Sequence, residues 1–95
     1  MPGFHTRSIK EVTAMAKNPV TEEEMCEIFS SNLRYLRKSR RWQLSQKTLA
    51  RILHIPRKSI IHYESGRTLP PTYITYRMAA YFGCSMEELL TEKIY

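Results

Sequence analysis

No apolar run in this chain approaches the ~18 residues needed to cross a bilayer. The N-terminus carries no apolar block of signal-peptide length, and together these absences predict a cytoplasmic protein. Cysteine is scarce: Cys26 and Cys84 stand far apart and match no CxxC or zinc spacing. They are read as buried or half-buried thiols kept reduced. His62 has His54 eight residues away across a turn, a poor metal pair, so no metal site is expected. Glycine occurs only three times, and no Gly-rich phosphate loop, HExxH pattern or nucleophile elbow is present. No catalytic residue, enzyme activity or cofactor is expected.

What the chain has is positive charge in one place. Its 95 residues suit one small domain, and their formal net charge is +6. Between Arg34 and Arg67 stand ten Lys and Arg residues against the single acid Glu64, a net +9, which leaves −3 for the rest. Such segregation points to a polyanionic partner for the middle third. The competing reading of the Arg34–Arg41 cluster is helix-dipole matching, with glutamates at the start of a helix and arginines near its end. Dipole matching does not require so many cations.

Helix punctuation recurs along the chain and strand signals are weak. Residues 1–20 are read as an N-terminal arm or short helix: "SIKEVTAMAKNP" has a Ser8–Glu11 capping-box spacing and a thin apolar stripe. From residue 21 to 95 the pattern predicts an all-α bundle of five short helices. Thr21, with Glu24 three residues on, starts the first helix, and Ile28, Phe29, Leu33 and Leu36 carry it to about Ser39. Ser45 caps "QKTLARIL", with Leu49, Ala50, Ile52 and Leu53 inward. His54 and Ile55 form a turn, Pro56 opens a third helix over about 56–65, and Gly66 closes it. Thr72 is expected to cap a fourth helix bearing Ile74, Met78, Ala79 and Phe82, stopped by Gly83. Ser85 caps the fifth, with Glu88 at the capping-box position.

Helix, three- to four-residue turn, helix is the arrangement that sets a second helix into the DNA major groove. The stretch "LSQKTLARILHIPRKSIIHYESGRTLPP", followed by "MAAYFGCSMEELL", resembles the Cro and phage-repressor helix-turn-helix family over about residues 28–91. The linked features are Gln46, Leu49-Ala50, Ile60, the Glu64-x-Gly66 stop with Pro70 after it, and "YFGCSMEELL". The resemblance implies a compact repressor-like helical bundle that binds double-stranded DNA.

The residues of the third helix sort by angle. Stepping ~100° per residue groups Arg57, Lys58, Ile61, His62 and Ser65 within ~140°, opposite Ser59, Ile60, Tyr63 and Glu64. An outward isoleucine suits a groove in which thymine shows a methyl group. Arg57 and Lys58 oppose the helix dipole at its N-terminus, which an anionic partner would offset; solvated surface cations are the plainer reading. The resemblance places both in the turn where relatives reach base edges. Arg57 is the candidate for guanine, Lys58 for a base or a phosphate, and His62 for either. By the same resemblance Gln46 braces the DNA backbone, with Lys47, Arg67 and Thr68 as further phosphate candidates. It also gives Glu64 a structural role as ion-pair partner of Arg37, the match in "LRYLRK".

Two departures from the family stand out. The interval from Arg37 to Gln46 is about two residues longer than usual, and its Trp42 either covers the core edge or touches DNA or a partner. Pro56 replaces the usual Ser or Thr before the third helix. The leading expectation is a sequence-specific transcriptional regulator acting as a homodimer on a palindrome, nucleoid-associated when bound. The alternative is an antitoxin-like interaction module whose protein partner binds through residues 1–20.

Overall fold

The computed structural model describes residues 20–95. The expected arm or helix over residues 1–20 lies outside them, apart from Val20. Five helices follow: α1 (Glu22–Lys38), α2 (Gln46–Leu53), α3 (Arg57–Glu64), α4 (Thr72–Phe82) and α5 (Met86–Thr91), with no strand among the described residues.

Local chemistry sets most of the boundaries. At α1, Thr21 Oγ1 accepts from the Glu24 N–H at 3.1 Å while the Glu24 carboxylate accepts from the Thr21 N–H at 3.3 Å. Ser85 and Glu88 repeat this capping box at α5, with bonds of 3.0 and 2.9 Å. The Ser85 backbone N–H, aided by its side chain, holds the Glu88 carboxyl below the usual carboxylate range. Ser45 Oγ caps α2 by accepting from Thr48 at 3.0 Å.

Two starts differ from the sequence reading. Pro56 is the residue before α3 rather than its first turn, with φ −63° and ψ 145°. Its ring presets φ, but its ψ is extended, so the helix begins at Arg57 and Pro56 contributes only its carbonyl, which accepts from Ser59 at 3.0 Å. Pro71, not Thr72, precedes α4. The Thr75 N–H reaches the Pro71 carbonyl at 3.0 Å, which draws Thr72 into the helix and leaves its hydroxyl one position too late to cap.

Gly66 and Gly83 sit at φ +78° and +76° past the ends of α3 and α4. A Cβ at Gly83 would meet nothing within 4 Å, so alanine there meets backbone strain alone. Gly83→Ala is expected to cost about 1–2 kcal/mol, and each kcal/mol lowers the Tm of a domain this small by about 4–8 °C. A thermal melt that matches the parent would show that α4 does not depend on this left-handed stop.

Every helix feeds one core: Phe29 and Leu33 from α1, Leu49 and Leu53 from α2, Ile60 from α3, Met78 from α4 and Leu89 from α5. Ile28, Ile52 and Ile74 are only half-buried. Polar side chains complete what apolar packing leaves open. Asn32 is 0% exposed; its amide donates to the Leu89 carbonyl at 2.9 Å and the Glu92 carbonyl at 2.6 Å, and its oxygen accepts from the Ile94 N–H at 3.0 Å. Arg77 donates to the carbonyls of Leu53 and Ile52 at 2.8 and 3.1 Å, supplying partners that the end of α2 lacks. The Cys26 and Cys84 thiols are free and half-buried; burial first, then the nearby Glu88 carboxylate, pushes the Cys84 thiol up.

Candidate nucleic-acid interface

α3 is two-sided in space. Ile60 is 0% exposed, and Tyr63 sets its ring edge-on to Phe29 with centroids 6.5 Å apart. On the other side Arg57 and Lys58 are exposed and Ile61 is 42% exposed, while His62 is half-buried. Ile61 therefore offers apolar area, beside two cations, that a partner could cover.

Glu64 locks the far end of α3. It is 5% exposed and Arg37 is 8% exposed. Arg37 grips the carboxylate with both edges of its fork: Nε lies 2.5 Å from Oε2 and Nη2 lies 2.9 Å from Oε1. Its remaining nitrogen, Nη1, donates to the Leu44 carbonyl at 2.9 Å. Arg34 donates to the Glu64 carbonyl oxygen. One glutamate thus connects α1, the turn before α2, and α3 in a planar, bidentate geometry that arginine supplies and lysine cannot.

Gln46 joins the same network, with Nε2 donating to Glu64 Oε1 at 3.1 Å. One of its two amide hydrogens is committed there. The second, with the backbone N–H groups of Gln46 and Lys47 that no helical carbonyl can reach, is left for an acceptor outside the fold. Lys47 is exposed beside them.

Arg67 and Thr68 are exposed beyond Gly66, and the Thr68 hydroxyl donates to the Leu69 carbonyl at 3.3 Å. Arg67 lines a recess with Glu22, Glu23 and Glu27 from the start of α1. The acidic end of α1 therefore bounds the positive surface on that side. Among the described residues the one salt bridge is Arg37–Glu64, so the exposed cations around α2 and α3 have no described carboxylate within ion-pair distance.

Sequence reasoning missed the inward bond of Gln46, the Arg34 contact and the roles of Asn32 and Arg77. Asn32 left a signal: it sits beside Leu33 and three residues after Phe29, on the apolar stripe of α1. A polar group there must find a partner, although its position does not name which.

No helix is long and apolar enough to cross a membrane among the described residues. No curated protein and no solved structure matches the chain. A family model described as a helix-turn-helix domain matches residues 31–93, which takes in the last eight residues of α1 and all of α2 to α5. With two short helices joined by a tight turn at the centre of that match, the chain belongs to the helix-turn-helix domain family.

Proposed function

We propose that this protein is a sequence-specific, double-stranded DNA-binding transcriptional regulator that inserts α3 into the major groove. The observation that carries the reading is the outer face of α3, where Arg57, Lys58 and Ile61 stand exposed on a helix anchored from behind by Ile60 and Glu64. Arg57 donates bidentately to guanine O6 and N7, Ile61 packs on a thymine methyl, and Lys58 and His62 reach a base edge or a phosphate. Gln46, Lys47, Arg67 and Thr68 hold the sugar–phosphate backbone and set the register without reading sequence.

The regulator works as a homodimer on a palindrome. A helix of eight residues is about 12 Å long, enough to face roughly three to four base pairs at ~3.4 Å each. So short a site recurs throughout any genome; two copies related by a two-fold axis, with half-sites about 34–36 Å apart, read twice the sequence.

Selection from a random duplex library tests both statements. Enrichment of one motif supports sequence-specific binding, and a palindromic motif supports the dimer. With the enriched duplex, a plot of log affinity against log salt should fall with a slope near −0.9 per phosphate neutralised. Recovery of no motif, or affinity indifferent to salt, would overturn the proposal.

A further inference from the structure

The turn between α1 and α2 is built more firmly than a connector requires. Ser39 Oγ donates to the Leu36 carbonyl at 2.8 Å, and the Ser39 carbonyl accepts from the N–H groups of Trp42 and Gln43 at 3.0 and 2.8 Å. Gln43 adopts φ +45°, a left-handed conformation uncommon outside glycine, and its side chain donates to the Arg40 carbonyl at 3.2 Å. The base of the turn is pinned by the Leu44 N–H on the Arg37 carbonyl at 2.8 Å, and by the Arg37 guanidinium on the Leu44 carbonyl. Trp42 fixes its tip: the indole lies 4.9 Å from the Tyr81 ring and meets Phe82 edge-on at 5.4 Å.

What this scaffold presents is cationic. Lys38, Arg40 and Arg41 are exposed, and Cζ of Arg41 lies 5.0 Å from the centre of the Trp42 ring. A guanidinium resting on an indole loses less rotamer freedom when it binds, and its N–H edge stays available. Arg41 is four residues from Ser45, so its Cα lies within ~14 Å of the cap of α2. At that cap Gln46 and Lys47 offer backbone N–H groups, and an arginine fork and free helix-start amides select the same ligand: a phosphate oxygen.

We propose that the Ser39–Ser45 turn is a phosphate clamp, in which Arg40 and Arg41 grip the DNA backbone next to the phosphate held at the start of α2. The base of the turn is tied to the end of α3, since Gln46 donates to Glu64 and Arg37 joins Glu64 to the Leu44 carbonyl, while its tip rests on α4 through Trp42. The clamp therefore adds backbone contacts without adding base contacts. The inference rests on the DNA-binding reading above.

The test uses the full chain, a duplex from the selection, and the doubly substituted Arg40→Ala/Arg41→Ala variant, with affinity measured by fluorescence anisotropy across a salt series. The salt slope of the variant should be shallower by about 0.9 for each phosphate it no longer neutralises, so a fourfold rise in salt weakens it about 3.5-fold less per phosphate. The selected motif should not change, and Arg40→Lys/Arg41→Lys should restore the slope, since charge is what releases counterions. Both positions are exposed, and a far-UV melt equal to that of the parent certifies the fold. A parent that binds DNA while the alanine variant keeps its slope would overturn the clamp and leave the DNA-binding reading standing. A parent with no salt-dependent affinity would overturn both.

Discussion

Arg37→Ala is expected to destabilise the domain by about 3–5 kcal/mol, the cost of leaving one partner of a buried ion pair uncompensated. A domain of this size has about 4–11 kcal/mol of stability in total, so the urea midpoint should drop by a large fraction of its value. The reason lies in what remains around Glu64. Its carboxylate is 5% exposed and receives three side-chain donors, two of them from Arg37. Truncation leaves Gln46 as the one side-chain donor to a carboxylate that water barely reaches, with the Arg34 guanidinium bonded to the Glu64 carbonyl and not to the carboxylate. Replacing both partners at once, Arg37→Met with Glu64→Leu, removes the stranded charge as well as the bond, and should recover much of the loss. Should the single variant unfold at the parent's urea concentration, the pair contributes nothing to holding α3 in place.

Arg57→Ala should leave stability nearly unchanged, because Arg57 is exposed and makes no side-chain bond among the described residues, and should act on recognition alone. Loss of a bidentate pairing with guanine removes about 1–3 kcal/mol of discrimination, which is roughly a 5- to 150-fold fall in preference at one position of the motif. The remaining positions should keep theirs. Lys47→Ala supplies the contrast: with one phosphate no longer neutralised there, every duplex binds more weakly alike and the salt slope becomes shallower. The assigned role of Arg57 fails if selection with Arg57→Ala returns the parental motif.

The features legible in the sequence were those decided within a few residues. Thr21 with Glu24, Ser85 with Glu88, and Gly66 and Gly83 announce helix ends because cap and partner lie within one turn. The two sides of α3 followed from its period, with Ile60 inside and Arg57, Lys58 and Ile61 outside. Pro56 misled by one residue, because a fixed φ does not say whether ψ will be helical, and Thr72 misled by one because the Pro71 carbonyl already accepts the first bond of α4. Distant partners were not legible at all. Asn32 meets Leu89, Glu92 and Ile94 across more than fifty residues of chain, and Arg77 meets Ile52 and Leu53 across some two dozen. A buried amide or guanidinium announces that it needs acceptors, and only the folded chain decides which carbonyls arrive. Trp42 had two readings open, and its ring lies against Tyr81 and Phe82 at the edge of the core.

The division of α3 into two faces also bears on how such a protein changes over generations. Ile60, Tyr63 and Glu64 carry the anchoring, so substitutions at Arg57, Lys58 and Ile61 fall on a surface where most changes alter stability by no more than about 0.5 kcal/mol. Mutation can then wander through those three positions without passing through unfolded intermediates. Descendants of one scaffold can drift apart in what they recognise while keeping the same interior, and a laboratory library confined to those codons should contain few members that fail to fold.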